Sequence, residues 1–504
     1  MELHYSAQEL LRFARIKPAG FWVREGERHL LQLFRRAARE VPAYKDFLKK
    51  NKVDPDKIAT VADFRLVPPV SKKEYLCAYP LEKLCWQGKV ASEKTPTLFS
   101  VTSGSTGEPF YFPRSTLLDW QSSLMHELFF SYRRGQRHDP TLVVVCFGMG
   151  VWIGGLITYA AFRGIADRGG RPLAIITPGI NKREIFHALA RVGDRFAGVI
   201  LCGYPPFIKD VVDEAITEGV AWKKLRPRFV FAAEGFSEKF RDYIARKSGL
   251  ENIYTDTMNI YGSADLGTMA QETPLSVFLR REALRHKELF GDLFPIHMRR
   301  VLPTLVQANP LFTYFEGDEN GGILASGDNT LPLIRYAIGD RGGVIPFEKV
   351  REMLYDQRVD TGAFLGKARQ MISPAFPFVY LYEREDFSVK LYGAIIYPEH
   401  IREALQRRAY EKILSGKFVM LIRYDRRQRQ DLKIHVELKP DAKVSEKRKR
   451  EITNLVVKVL LLRNSEYRNN YFALRKRVVP ELIFHPYGDP SYFKEGIKQK
   501  WVKA

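Results

Sequence analysis

The chain has 504 residues, more than one ordinary hydrophobic core can serve, so we expect two or three domains. Hydrophobic residues make up 45% of it and aromatic residues 12%, which excludes an intrinsically disordered chain. The formal net charge is +22, which predicts either anionic partners or a large solvated basic face.

The four cysteines are scattered and show no metal-binding spacing, so they predict buried thiols in a reducing compartment. The N-terminal residues MELHYSAQELLRFARIK lack the uninterrupted apolar core of a secretory signal. We therefore expect a cytoplasmic protein.

Small and hydroxyl-bearing residues dominate the segment Ser100–Phe112, which lies between two apolar, strand-like stretches. Small residues let the backbone wrap closely around an anion, and the hydroxyls of Ser103, Ser105 and Thr106 supply donors for phosphate oxygens. No Lys-Ser/Thr pair follows the last glycine, so this is not a Walker loop. Taken alone, the segment predicts either a phosphate-binding loop or a flexible hairpin turn.

The stretch Thr141–Phe162 carries no charge over a length that could span a bilayer. It nevertheless opens with the β-branched run Val143–Val145, breaks at Gly148 and Gly150, and becomes apolar again near Ile153. This pattern predicts a buried strand, a turn and the start of a buried helix rather than a transmembrane segment.

Short apolar runs and helical patterns alternate between residues 143 and 248. The predicted strands are Val143–Val145, Leu173–Ile176, Gly198–Leu201 and Phe229–Ala232, and the predicted helices are Lys182–Val192, Pro206–Thr217 and Glu238–Ser248. Such alternation predicts a mostly parallel sheet covered on both faces, with ligands bound beyond the carboxyl ends of the strands.

Several motifs together resemble the adenylate-forming (AMP-binding) superfamily of acyl-CoA ligases and peptide-synthetase adenylation domains. They are TSGSTGEP (residues 102–109), IYGSADLG (260–267), RYAIGDRGG (335–343) and YEREDFSVKLYGAIIYPEHIREAL (382–405). The segment VPAYKDFLKKNKVDPDKIATVADFRLVPPVSKKEY (41–75) resembles, more narrowly, the phenylacetate–CoA ligase branch.

This resemblance implies an α/β fold with two domains. A large N-terminal domain, residues 1–383, would contain mostly parallel sheets covered by helices and would bind ATP and the acyl group. A small mobile α+β domain, residues 384–504, would carry the catalytic lysine.

The resemblance also assigns residues to ATP or AMP binding. They are Thr102, Ser103, Gly104, Ser105, Thr106, Gly107, Glu234, Gly235, Tyr261, Gly262, Ser263, Asp340 and Arg384. Tyr261 would lie against adenine, and the carboxylate of Asp340 would accept both ribose hydroxyls. Asp265 stands where the family usually has glutamate, and it would act in catalysis by orienting Mg²⁺ on the phosphates. Without the resemblance, Asp265 is an exposed acid at a strand end.

Two further roles are implied near the C-terminus. Asp386 falls on the hinge position about which the small domain rotates between two half-reactions. The tail YFKEGIKQKWVKA resembles the family's terminal Gly-Lys, and Lys498 is the implied catalytic lysine, with Lys494 and Lys500 as close rivals.

The acyl pocket is expected to draw on Trp152, Tyr204 and Phe236, and this aromatic lining suggests an aryl or mid-sized apolar acid. The segment Thr273–Leu311 matches no part of the family pattern. We interpret it as an insertion that shapes the choice of substrate or partner.

Basic residues are concentrated in the last quarter of the chain. From Arg384 to Ala504 there are 28 basic and 15 acidic residues, a net of +13. The clusters Arg423–Arg429 and Lys443–Arg450 predict either a solvated basic face or contacts with coenzyme A phosphates, an acidic carrier protein or nucleic acid. No recognisable nucleic-acid module accompanies them, which makes nucleic acid the weakest of these.

The resemblance thus implies an ATP-dependent, AMP-forming ligase that uses Mg²⁺, activates a small carboxylic acid and transfers it to coenzyme A. Two alternatives remain open at this point. The acyl group could instead pass to a carrier protein, a protein side chain or an amine. The chain could also be a non-catalytic relative that holds AMP or nucleic acid.

Overall fold

The computed structural model describes residues 5–91, 95–101, 110–132, 139–295, 302–361, 373–382, 388–405 and 407–493. It consists of a large sheet covered by helices, followed by a separate small sheet with its own helices. This arrangement confirms the predicted α/β class with a small α+β C-terminal domain. Among the described residues, no helix is both long enough and apolar enough to cross a membrane.

The N-terminal part is helical and packs over one end of the large sheet. Its elements are α1 (Ala7–Ile16), α2 (Ala19–Glu40), α3 (Pro42–Lys50), α4 (Val61–Phe64), β1 (Val70–Ser71) and α5 (Leu81–Leu84). Helix α1 begins with a capping box, in which Ser6 and Glu9 each satisfy a backbone N–H of the other. Strand β1 joins the large sheet, with Val70 opposite Tyr336.

The central part of the chain alternates between strands and helices. Its elements are β2 (Leu98–Val101), β3 (Tyr111–Arg114), α6 (Thr116–Ser131), β4 (Thr141–Val145), α7 (Ile153–Asp167), β5 (Leu173–Ile176), α8 (Lys182–Arg191), β6 (Gly198–Gly203), α9 (Pro205–Ala215), α10 (Trp222–Leu225), β7 (Pro227–Ala232), α11 (Glu238–Ser248) and β8 (Thr257–Ser263). The predicted strands and helices of this region all form, with ends that differ by a few residues at most.

Strands β5, β4, β6, β7 and β8 lie side by side in that order and are parallel. The uncharged stretch Thr141–Phe162 forms β4, a turn and part of α7, as its pattern predicted. The core residues of β4, β6 and β7 are almost fully buried because helices cover the sheet on both sides.

The other half of the same sheet is antiparallel. Its elements are β9 (Gly267–Gln271), α12 (Pro274–Ala283), α13 (Lys287–Leu293), β10 (Thr304–Gln307), β11 (Thr313–Gly317), β12 (Gly322–Gly327), β13 (Leu333–Ile345), α14 (Phe347–Asp356) and β14 (Phe378–Tyr382). The strand order continues from β8 as β9-β10-β14-β13-β12-β11. The segment Thr273–Leu311 is therefore not a simple insertion, because β10 lies inside this sheet between β9 and β14.

The small C-terminal unit comprises the described residues 388–493. Its elements are β15 (Val389–Leu391), β16 (Ala394–Ile396), α15 (Pro398–Leu405), β17 (Leu414–Tyr424), β18 (Gln430–Leu438), α16 (Glu446–Arg463), α17 (Ser465–Leu474) and β19 (Glu481–His485). Strands β17, β18 and β19 form a separate sheet, and β15 and β16 form a hairpin.

Short helical turns connect these elements. They are the 3-10 turns Pro55–Lys57, Trp86–Gly88, Gly193–Arg195, Arg408–Tyr410 and Arg475–Val478 and the π-helical turn Lys72–Leu76.

Candidate active site

A cavity of about 460 Å³ opens beyond the carboxyl ends of β4, β6, β7 and β8, the edge at which a parallel sheet is expected to bind ligands. Residues that are distant in sequence meet in its wall. The sequence-predicted site residues among them are Trp152, Tyr204, Glu234, Gly235, Tyr261, Gly262, Ser263, Asp265 and Asp340. Five separate segments of the chain therefore converge on one cavity.

Tyr261 and Asp340 come from different halves of the large sheet and meet in the cavity wall. Tyr261 lies near the end of β8, and Asp340 lies within β13. The Tyr261 hydroxyl donates to Oδ2 of Asp340 over 2.6 Å. This contact fixes the carboxylate beside the aromatic ring, and an ionised carboxylate can accept further hydrogen bonds through its remaining lone pairs.

The turn between β8 and β9 needs glycine where the two strands meet. A Cβ on Gly262 would lie 2.8 Å from the carbonyl oxygen of Gly267, so a larger residue would push the strands apart. The Ser263 hydroxyl accepts from the backbone N–H of Leu266 and closes the turn over 3.2 Å. Asp265 is held in this turn, is 7% exposed and lies in the cavity wall.

The turn after β7 places Glu234 between the large sheet and the C-terminal unit. Ala233 has φ +73°, a left-handed conformation that non-glycine residues rarely adopt. The Glu234 carboxylate accepts from the backbone N–H of Gly393 and, over 3.1 Å, from Nε2 of Gln430. The carbonyl of Glu234 accepts from Nδ2 of Asn259 over 3.2 Å.

The C-terminal unit contributes its own side chains to the cavity wall. Lys390, on β15, donates from Nζ to the carbonyl of Ala233 over 2.8 Å. Glu466, in the first turn of α17, accepts from the Tyr204 hydroxyl over 3.4 Å. Burial raises the pKa of the part-buried Glu466 carboxyl to about 8. The cavity is therefore completed by residues from both parts of the chain.

A second wall of the cavity is built by α6, α7 and the start of β9, and we call it the α6–α7 wall. It is lined by His126, Gly154, Ile157, Thr158, Gly267 and Thr268. This wall has no Asp, Glu, Lys or Arg among these residues, which suits the uncharged carbon skeleton of an organic substrate. Trp152, just before α7, lies beside this wall. Tyr204 also lines the cavity, and burial strongly raises the pKa of its hydroxyl.

Phe236 does not line this cavity, although the sequence predicted it to be part of the acyl pocket. Its ring packs against Phe231 and Phe240, with centroid distances of 5.0 Å and 5.1 Å. The preceding turn directs this side chain into the core between β7 and α11 instead.

Other predicted site residues lie outside the described residues. They are Thr102, Ser103, Gly104, Ser105, Thr106, Gly107, Arg384, Asp386, Lys498 and the rival lysines Lys494 and Lys500. The strands that flank the glycine-rich segment are described, and they pair antiparallel, with Val101 opposite Tyr111. Val101 lies in the cavity wall.

The cavity offers a carboxylate ligand that fits a magnesium ion already bound to a phosphate group. Among the described residues, no group of three or more His, Cys, Asp or Glu side chains could hold a metal by itself. Asp265 does place one carboxylate in the wall. Mg²⁺ in nucleotide sites is commonly bound by one or two carboxylates, with phosphate oxygens and waters as the other ligands.

The two basic clusters lie on the C-terminal unit. Arg423–Arg429 forms the end of β17 and the turn into β18, and Lys443–Arg450 leads into α16. Some of their charges pair locally, such as Arg429 with Asp425 and Lys449 with Glu446. Exposed pairs of this kind contribute little to stability.

No protein-family model and no curated protein sequence matches this chain. Among solved structures, it is similar to 2-hydroxyisobutyryl-CoA ligase bound to 2-HIB-AMP and CoA in the thioesterification state, with TM-score 0.65 and 15% identity over 98% of this chain and 91% of that one. At this identity the match shows a shared fold, which agrees with the predicted fold class.

The same ligase in two other states is less similar. Its open conformation gives TM-score 0.54 at 15% identity, over 100% of this chain and 96% of that one. Its postadenylation state also gives 0.54 at 15% identity, over 100% and 92%. All three comparisons show the same shared fold.

Sequence reasoning missed several residues of the cavity wall. They are Lys72, His126, Asn259, Lys390 and Glu466. Lys72 lies within the segment 41–75, which resembles the phenylacetate–CoA ligase branch, and Asn259 directly precedes the IYGSADLG motif. Both residues could therefore have been predicted from their closeness to these segments. His126 is a single histidine on an apolar helix and carries no sequence signal.

Proposed function

We propose that this protein is an ATP-dependent, AMP-forming carboxylic acid ligase. A carboxylate oxygen of the substrate attacks the α-phosphorus of ATP, and pyrophosphate leaves. The acyl group of the resulting adenylate then passes to the thiol of coenzyme A, releasing AMP. The observation that carries the proposal is the convergence of Glu234, Tyr261, Asp265 and Asp340 on one cavity in a fold of this kind.

The wall around Tyr261 has the groups needed to bind a nucleoside. The Asp340 carboxylate can accept both ribose hydroxyls while its other bond, from Tyr261, keeps it in place. The Tyr261 ring offers a flat apolar surface to adenine. Asn259 is 3% exposed, and its Oδ1 has no hydrogen-bond partner among the described residues, so it can accept from the exocyclic amine of adenine.

The phosphates of ATP would be held at the other edge of this wall. The glycine-rich segment 102–107 follows Val101, and we propose that its N–H groups and hydroxyls bind the β- and γ-phosphates. Asp265 would bind Mg²⁺ together with phosphate oxygens. The ion would supply positive charge that stabilises the leaving pyrophosphate.

Bringing two anions together requires a further cation near the α-phosphate. We propose Lys498 for this role, acting from a C-terminal domain that begins near residue 384 and rotates about Asp386, with Arg384 at the same hinge. Positioning the two reactants in one cavity removes much of the entropic barrier to the attack.

The shared fold and the docked C-terminal unit support a thiol as acyl acceptor. Hairpin β15–β16 lies against Glu234, and 2-hydroxyisobutyryl-CoA ligase, whose fold this chain shares, was solved with CoA bound. We therefore propose coenzyme A rather than a carrier protein or an amine. The thiol proton passes to solvent as the thioester forms and AMP departs.

The proposal is tested by acid-dependent release of pyrophosphate from ATP and Mg²⁺, with a mixed panel of carboxylic acids, with and without coenzyme A. Lys498→Ala is compared with the matched variants Lys494→Ala and Lys500→Ala. We expect release to require an acid and to fall on the order of 100-fold or more only in Lys498→Ala, and we expect a coenzyme A thioester as product.

Each other outcome has a defined meaning. Release of pyrophosphate without thioester formation contradicts coenzyme A as the acceptor and directs the search to carrier proteins or amines. Tight binding of ATP with no acid-dependent release contradicts the ligase and favours a non-catalytic nucleotide-binding protein. Loss of activity in Lys494→Ala or Lys500→Ala instead would reassign the lysine.

A further inference from the structure

We propose that the acid activated by this protein carries a hydroxyl group on the part of its skeleton remote from the carboxylate, and that His126 accepts a hydrogen bond from it. This inference rests on the proposed ligase function and adds the class of acid. It differs from the purely apolar or aryl acid that the aromatic residues in the sequence suggest.

His126 is buried within the α6–α7 wall, away from the nucleotide-binding wall around Tyr261 and Asp340. It is 1% exposed, and its ring meets Phe162 edge-on at a centroid distance of 5.1 Å. On the other side, Nδ1 lies 2.8 Å from the backbone carbonyl of Ser122. A carbonyl can only accept, so Nδ1 carries the proton and donates, and Nε2 presents a lone pair.

That lone pair has no hydrogen-bond partner among the described residues. The Ser122 hydroxyl lies on the other side of the ring, 3.4 Å from Nδ1, and it bonds to Oγ1 of Thr268 over 2.9 Å. A buried acceptor without a donor is costly, and such atoms in folded proteins call for an explanation. A donor on the bound substrate provides one, because His126 lines the cavity.

The chemistry of the site favours an uncharged donor. Burial lowers the pKa of His126 to about 4, so the ring is neutral near pH 7 and acts as an acceptor only. The surrounding wall is apolar apart from threonine hydroxyls, with Ile157, Thr158 and Gly154 on the facing helix. A substrate ammonium would lose its hydration there without gaining an opposite charge, whereas a hydroxyl needs only one acceptor.

The test uses matched sets of acids that share one skeleton and differ at the remote end, which carries a hydroxyl, a methyl ether, an ammonium group or hydrogen. Acid-dependent pyrophosphate release gives kcat/KM for each. We expect the hydroxy acid to exceed the unsubstituted acid and the ether by roughly 10- to 100-fold, because the ether cannot donate. The wild-type protein alone decides this comparison.

Two variants then locate the effect. His126→Phe keeps a ring against Phe162 but removes the acceptor, and it should bring the hydroxy and unsubstituted acids to within about 3-fold of each other. His126→Gln restores an acceptor and should recover part of the preference. ATP binding and thermal unfolding of each variant report whether the fold and the nucleotide wall are intact.

The inference and the proposed function fail in different ways. If no acid releases pyrophosphate, the ligase itself is refuted. A second outcome is that acids release pyrophosphate while the hydroxy acid has no higher kcat/KM than the others, or while the ammonium acid has the highest. In either case the ligase stands and the hydroxyl inference is overturned. A hydroxyl preference that survives unchanged in His126→Phe would remove His126 from the explanation.

Discussion

The backbone N–H of Gly393 donates to the carboxylate of Glu234 and so joins the C-terminal unit to the large sheet. Gly393 lies in the turn of hairpin β15–β16, with φ +85°. A Cβ at this position would lie 2.5 Å from Cε1 of Tyr204. The docked arrangement therefore requires glycine here, both for its backbone conformation and for space.

Gly393→Ala should block this docking and slow transfer of the acyl group from the adenylate by on the order of 100-fold, because the added methyl cannot fit against Tyr204. Adenylation, measured as acid-dependent pyrophosphate release, should stay within about 3-fold of the wild type. Gly488→Ala is the matched control, since Gly488 also has positive φ but no atom within 4 Å of its Cβ position. Equal losses in both half-reactions would contradict a role confined to docking.

Asp340 should be essential for binding ATP, and Tyr261 should act partly through it. Asp340→Ala should lower kcat/KM for ATP by roughly 10- to 100-fold, the effect of losing charge-assisted hydrogen bonds. Tyr261→Phe keeps the ring and removes the 2.6 Å hydrogen bond, so we expect a loss of a few fold. In the double variant the losses should be smaller than additive, and full additivity would argue against coupling through that bond.

The sequence was sufficient for four of the five parallel strands, because each of those four is a short apolar run between helical patterns. Val143–Val145 and Leu173–Ile176 could be recognised in this way, and both form neighbouring parallel strands. Strand β10 could not, since Thr304–Gln307 is short and its place is fixed only by pairing with β9 and β14. Long-range pairing of this kind leaves no local pattern.

Site residues that lie in motifs could be predicted from the sequence. Site residues whose position depends on tertiary packing could not. Tyr261 and Asp340 were both named from motifs and lie together in the cavity wall. Phe236 directly follows the predicted site residues Glu234 and Gly235, yet its side chain packs against Phe240 in the core. Glu466 enters the wall only through tertiary packing, because its hydrogen-bond partner Tyr204 lies 262 positions away in sequence.

Glu272 holds together a buried charge network below the cavity. Its carboxylate accepts from Arg241 over 2.6 Å, from Arg280 over 2.9 Å and from the backbone N–H of Asn259 over 2.9 Å. Glu272→Ala would leave two buried guanidinium groups without this partner and should lower the unfolding free energy by about 3–5 kcal/mol.

Denaturant unfolding of the large domain measures this loss of stability. The control is Glu352→Ala, which removes an exposed pair with Lys349 and should change the free energy by less than about 1 kcal/mol. Similar values for the two variants would show that the buried network adds nothing to stability.

Glu466 should make docking of the C-terminal unit depend on pH. Its pKa is raised from 4.5 to about 8, mainly by burial and further by the nearby Glu234 carboxylate. The hydrogen bond from Tyr204 and the charge of Lys390 act in the opposite direction and lower the pKa. Because the docked state holds the proton more tightly than the undocked state, docking is most favourable below pH 4.5 and weakens as the pH rises to about 8.

Glu466→Gln should remove this dependence, since an amide keeps an acceptor for Tyr204 and does not ionise. The distance between probes on the two parts of the chain, followed by fluorescence energy transfer from pH 5 to pH 9, measures docking directly. We expect wild type to undock progressively over this range and Glu466→Gln to change much less. The other titrating groups are common to both proteins, so a similar pH profile in the two would assign the effect to them and not to Glu466.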